Sequence, residues 1–197
     1  MNEMTPAARR PATYQDVLDA PSNMVAEIVD GSLNLHPRPL PRHSLAASGV
    51  GAQLTGPFQY GSDGPGGWII LDEPELHLGG AVLVPDLAAW RRERLPRLPD
   101  VVGITVAPDW VCEVLSPSTR RHDLTGKRAA YGRSGVHHIW FLDPDACVLE
   151  AFENEEGVWR LLGAYEGAAK VAEAPFEAVP VDLSLLWQDG AAEGEGA

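Results

Sequence analysis

The sequence predicts a mixed α/β or α+β domain built around one sheet with helices on its flanks. Three observations predict it. Strand-like runs fill the first half of the chain, and a strand, turn, helix, strand succession then extends from Trp110 to the Asp143-Pro144 breaker. The 197 residues suit one domain that buries a core without disulfide or metal staples. A hydrophobic fraction of 45% beside a charged fraction of 22% is the balance of a soluble globular chain.

Residues 1–12, mixing Pro, Ala and polar residues, read as a disordered lead-in, and residues 13–187 as the domain. Thr13, with Asp16 three positions on, reads as the capping box of a short helix from Tyr14 to Asp19. Met24 to Val29 is strand-like, and the Asp30-Gly31 turn sends Ser32 to His36 back as its hairpin partner. Three prolines make His36 to Pro41 a loop, and a weak helical pattern with two internal glycines runs from Arg42 to about Leu54. Gly56 to Gly67 reads as the longest loop. Trp68 to Leu71 and Ala81 to Val84 read as strands joined by an acidic turn, the second running on through Pro85 and Asp86 to Trp90. An Arg- and Pro-rich loop from Arg91 to Asp100 follows. After the Trp110 to Asp143 unit, Val148 to Phe152 and Trp159 to Leu162 form a hairpin, and Pro180 to Trp187 supplies a last apolar element. Residues 188–197, made mainly of Gly, Ala and acid, read as a disordered acidic tail.

Composition narrows the function. No apolar run approaches the roughly 18 residues a membrane span needs, and no signal-peptide core is present at the N-terminus. Cys112 and Cys147 sit inside apolar runs, as small core side chains of a reducing cytoplasm do, with a disulfide as the lesser alternative, and two cysteines do not make a four-ligand zinc site. A net charge of −13 opposes generic affinity for nucleic acid. Between Arg91 and Arg133, however, nine basic residues face five acids, so that segment carries +4 and the remainder −17. Such a zone is compatible with a local phosphate site, or simply with a solvated surface.

Motifs for other chemistries are missing. There is no G-x-S-x-G, G-x-G-x-x-G or H-E-x-x-H, and Gly126-Lys127 lacks both the upstream glycine and the Ser or Thr of a P-loop. The six histidines are scattered, and the adjacent His137 and His138 point to opposite faces of a strand. What remains is three acids in apolar strand contexts: Glu27, Asp86 and Glu113. Each alone has an ordinary explanation: an outward edge position for Glu27, a turn after Pro85 for Asp86, an arginine partner for Glu113. Together on one sheet they read as carboxylates converging on a cation, and hard oxygen donors select Mg2+ or Mn2+. Ser116-Pro-Ser-Thr119 is placed to cap the next helix and to offer its N–H groups to a phosphate. In that helix Arg120, Arg121 and Arg128 are left to face a backbone, and Tyr131 belongs to the core or to the rim of the site.

Glu27 with Val29-Asp-Gly31, Pro85-Asp-Leu-Ala88, Glu113-Val-Leu-Ser-Pro-Ser-Thr119, Asp123 to Lys127, Tyr131, Gly135-Val136, Trp140 and Asp143-Pro144 follow one another in a pattern that resembles the Uma2 family. These are candidate restriction endonucleases of the PD-(D/E)xK nuclease superfamily, and the resemblance spans roughly residues 13–187. It implies a restriction-endonuclease-like core, with a mixed sheet whose acids converge at one end. It implies that Asp86 and Glu113 are catalytic metal ligands, with Glu27 as the upstream acid of the same site. The motif lysine would fall at position 115, which is Leu115, so Lys127 is the substitute, reaching the scissile phosphate or orienting the attacking water. His43, and with it Ser116, Ser118 and Tyr131, would line the site. The resemblance implies a Mg2+-dependent endonuclease that hydrolyses phosphodiester bonds in DNA, working as a cytoplasmic homodimer. The displaced lysine and the acidic charge leave a second reading open, a degenerate nuclease fold used for binding or assembly.

Overall fold

The computed structural model describes residues 10–187, so the acidic tail and most of the N-terminal lead lie outside the described residues. From Arg10 the chain is already engaged: the Ala12 N–H donates to the Gly31 carbonyl at 2.7 Å, and Arg10 pairs with Asp16. Helix α1 (Tyr14–Leu18) begins as expected, with the Thr13 N–H donating to the Asp16 carboxylate. Strands β1 (Met24–Val29) and β2 (Ser32–Pro37) form the hairpin around Asp30-Gly31. Helix α2 (Pro41–Leu54) starts on a proline at its first position and continues as a π-turn, Thr55–Gln59, into the segment expected to be loop.

The sheet is not single. Strands β3 (Trp68–Asp72), β4 (Leu76–Leu78), β5 (Ala81–Leu83) and β6 (Leu87–Arg91) follow. The run expected to continue from Ala81 to Trp90 is broken at Val84-Pro85-Asp86. Before the break β5 belongs to a four-stranded sheet of order β2-β1-β5-β4; after it β6 enters a larger one. Pro85 cannot donate a ladder hydrogen bond, which suits a crossing point between sheets. Strand β4, within the expected acidic turn, pairs with β5 along Leu76↔Leu83 to Leu78↔Ala81. Glu27 therefore lies in a different sheet from Glu113, contrary to the one-sheet expectation.

The larger sheet adds β7 (Trp110–Val114), β8 (His138–Asp143), β9 (Val148–Glu155) and β10 (Val158–Glu166), in the order β10-β9-β8-β7-β6-β3. Its one parallel pair is β7 with β8. A helical crossover joins them: α3 (Arg120–His122), a π-turn over Asp123–Lys127, and α4 (Arg128–Arg133). A short pair, β11 (Lys170–Val171) and β12 (Val181–Asp182), leads into a final 3-10 turn.

Alternation along β7 divides the core between the two sheet faces. Trp110, Cys112 and Val114 face α2 and the C-terminal segment, where Phe176 packs among Phe58, Trp68, Trp110 and Trp140 with ring centroids 4.7–5.8 Å apart. Val111 and Leu115 face the crossover helix and the small sheet, with Ala130, Tyr131, Ile139, Phe141 and Val29. Leu115, the position of the missing motif lysine, is thus a core residue. Cys112 and Cys147 are free thiols. Among the described residues no helix is long and apolar enough to cross a membrane.

Asp143 closes β8 by binding the Arg120 guanidinium and accepting the N–H groups of Asp145 and Ala146 at 3.1 Å. Burial opposes its charge, but these donors hold its carboxyl below the ordinary 3.8. Its contribution to stability is therefore present above about pH 4 and disappears as pH falls through the lowered native value. Asp143→Asn is expected to lower the urea midpoint at pH 7, by about 1 kcal/mol, with the gap to wild type closing in acid. A gap of constant size from pH 7 to 3 would contradict this.

Candidate metal and phosphate site

Antiparallel pairing of β6 with β7 brings the first two acids into one region. The register ends at Leu87↔Cys112, and Asp86 and Glu113 are the next residues along the two segments. The Val114 N–H, which no strand partner takes at that point, donates to Asp86 Oδ2 at 2.7 Å. Asp86 Oδ1 lies 3.3 Å from His43 Nε2, brought there by α2. Burial resists protonation of His43, but the neighbouring Asp86 carboxylate raises its pKa overall.

Glu113 is buried, only 2% exposed. Tyr131 donates its hydroxyl to Glu113 Oε1 at 2.6 Å, and the Lys127 ammonium reaches Oε1 at 2.8 Å and Oε2 at 2.9 Å. Tyr131 is therefore a core residue whose hydroxyl holds Glu113. The same ammonium lies 3.0 Å from Glu27 Oε1 and donates to the Val84 carbonyl at 3.1 Å. Asp123, one turn earlier on the π-turn, is 3.8 Å away. Gly126 makes this close approach feasible: a Cβ there would meet Val29 Cγ1 of β1 at 3.1 Å.

The lysine expected to face a phosphate is turned inward. An ammonium has three donors, and Val84, Glu27 and Glu113 use them. Burial alone would discharge Lys127, but Glu113 and Glu27 hold its pKa well above the ordinary value. Glu113 is pushed the other way: burial, with Asp123, Asp86 and Glu27 nearby, raises its pKa against the pull of Lys127. Asp123 is raised, again by burial first. Burial also opposes ionisation of Glu27, but the Lys127 ammonium and the Val84 N–H bring its carboxyl down to about 2.

Glu27, Asp86, Glu113, Asp123 and Lys127 all line one cavity of about 320 Å³, with His36, Arg38, His43 and the Ser116 to Thr119 turn on its walls. Five acidic side chains, Glu73 among them, line the cavity against two cationic ones, Lys127 and Arg38, an excess of acid that a divalent cation offsets. Asp86 and Glu113 offer hard oxygen donors, which fit Mg2+ or Mn2+. Ser116 and Ser118 are on the wall of this cavity, their hydroxyl oxygens 3.0 Å apart. The turn largely closes on itself, however, because Thr119 and Arg120 N–H groups both donate to the Ser116 carbonyl. Two amides expected to meet a phosphate are thereby used. Nor are two of the three arginines free: Arg120 binds Asp143, and the Arg128 guanidinium lies 4.2 Å from the centroid of the Phe152 ring. Arg121 makes no ion pair among the described residues.

Sequence reading missed His36, Arg38, His122 and Asp123. His36 and His122 are 86 positions apart, and only the packing of β2 against the crossover brings their rings to 4.8 Å. Asp123 left a fainter signal, as an acid four residues before Lys127 on one helical face.

The family model of Uma2, described as "Putative restriction endonuclease", matches residues 11–185. Among solved structures, the chain is similar to one titled a putative nuclease belonging to DUF820 from Anabaena variabilis ATCC 29413. The TM-score is 0.67 at 21% identity, covering 89% of this chain and 97% of that one, a likeness of fold. No curated protein matches the chain. With the model matched across nearly its whole length, the chain belongs to the Uma2 family.

Proposed function

We propose that this protein is a divalent-metal-dependent phosphodiesterase acting on DNA, with Asp86 and Glu113 as the metal ligands. The observation that carries this reading is that Asp86 and Glu113, next in line beyond the last paired residues of β6 and β7, share the wall of one cavity. A divalent cation there supplies Lewis acidity toward a phosphate oxygen and lowers the pKa of the attacking water. The remaining work falls to the chain. The Val114 N–H and His43 fix the Asp86 carboxylate, while Tyr131 and Lys127 fix that of Glu113. The exposed Arg38 puts positive charge beside an incoming phosphate, and His43, its pKa raised by Asp86, lines the same cavity. Lys127 is a positioning residue here, holding Glu113 and Glu27 rather than the substrate. In the reaction, water oxygen bonds to phosphorus as the bond from phosphorus to one sugar oxygen breaks. That oxygen leaves with a proton, giving a phosphate end and a hydroxyl end. Cutting both strands of a duplex takes two such cavities, which a homodimer supplies.

A second reading, a binding module of the same fold, is favoured by one observation: all three donors of Lys127 are used within the protein. Supercoiled plasmid separates the two. Incubation with the purified protein and Mg2+ is expected to give nicked circles, and chelation by EDTA to abolish them. Retention of the plasmid in a mobility shift without nicking, across Mg2+ and Mn2+, would favour the binding module.

A further inference from the structure

Glu27 divides its carboxylate between two environments. Its Oε1 accepts the Val84 N–H at 2.7 Å and meets the Lys127 ammonium at 3.0 Å. Its Oε2 is approached by two imidazoles, His36 Nε2 at 3.5 Å from β2 and His122 Nε2 at 3.6 Å from the end of α3. Both distances exceed an ordinary N–H···O hydrogen bond. Both nitrogens are nevertheless buried and lack any hydrogen-bond partner among the described residues. Each such orphan costs about 1–3 kcal/mol, and two of them aimed at one carboxylate oxygen call for a shared partner.

A metal ion meets that need. Bonds of about 2.1 Å at a tetrahedral centre place neighbouring ligand atoms about 3.4 Å apart, close to both oxygen-to-nitrogen separations here. One donor atom from each of Glu27, His36 and His122 lies within 4.8 Å of the others. We propose that Glu27, His36 and His122 bind a transition-metal dication of the Zn2+ type. The site is separate from the hard-ion position at Asp86 and Glu113, and its inference rests on the Glu27 geometry, not on the phosphodiesterase reading. Two imidazoles and a carboxylate select Zn2+, Co2+ or Ni2+ over Mg2+. The Lys127 ammonium leaves Oε2 to the ion, and Glu113 and Asp123 offset its charge. Three protein ligands would leave a fourth position for a small ligand, and Glu27 and His36 both line the cavity.

Co2+ reports on such a site without any activity assay, because tetrahedral Co2+ absorbs strongly in the visible. Titration of wild type with Co2+ is expected to give a visible band saturating at one equivalent and displaced by Zn2+. His36→Gln and His122→Gln keep side-chain bulk and are each expected to weaken Co2+ binding at least about 10-fold. Asp86→Asn is expected to leave the band unchanged, so failure here and failure of the phosphodiesterase reading are told apart. No band in wild type overturns the proposal, and does so even if a histidine variant fails to fold. Undiminished binding in both histidine variants overturns it as well, as does an equal loss in Asp86→Asn.

Discussion

Lys127→Met is expected to destabilise the fold by about 3–5 kcal/mol, because it leaves buried carboxylates without their cation. The residue is 3% exposed, and its ammonium lies within 3.0 Å of Glu27 and Glu113 while also serving the Val84 carbonyl. Methionine keeps the length of the side chain and removes the charge, so the loss is electrostatic rather than a packing defect. Urea unfolding measures it as a lowered midpoint with an unchanged slope. The partner variant sharpens the assignment. Glu113→Gln in the Lys127→Met background removes one of the stranded acids, and the double variant is expected to recover stability relative to Lys127→Met alone. Additive losses from the two substitutions would show that the pair is not coupled.

Much of this arrangement is legible in the order of the residues. The apolar run from Trp110 to Leu115, the Ser-Pro-Ser-Thr turn and the Asp143-Pro144 stop give the strand, helix, strand unit its boundaries, and the parallel pair β7 and β8 follows. Glu113 stands out as an acid within an apolar run, and its cavity, lysine and tyrosine give a reason for that position. The division into two sheets is hidden because Ala81 to Trp90 is apolar on both sides of Pro85-Asp86, and periodicity does not register a change of sheet. Strand β4 is hidden inside an acidic stretch, since Leu76 and Leu78 alternate with only His77 between them. The inward turn of Lys127 is set by tertiary contact: a helical lysine reads as solvent-facing until Gly126 lets β1 come close. His36 and His122 carry no local signal at all, because each is an ordinary polar residue until the fold pairs them.

Asp86→Asn is expected to lower Mg2+-dependent plasmid nicking on the order of 10³-fold while leaving the protein folded. Asparagine keeps the side-chain shape, and its carbonyl oxygen still accepts the Val114 N–H that anchors the residue now at 2.7 Å. It removes the negative charge and one hard donor, which are the properties the metal site requires. Unchanged thermal unfolding with lost nicking would place the effect on the site rather than the fold. Equal nicking by variant and wild type would remove Asp86 from the chemistry.

The central claim, that Asp86 and Glu113 hold a divalent cation between them, is tested most directly by anomalous diffraction from Mn2+-soaked crystals. An anomalous peak within coordination distance of carboxylate oxygens of both Asp86 and Glu113, absent from Asp86→Asn crystals, is the predicted result. Saturating Mn2+ with no peak between these two acids would contradict the account.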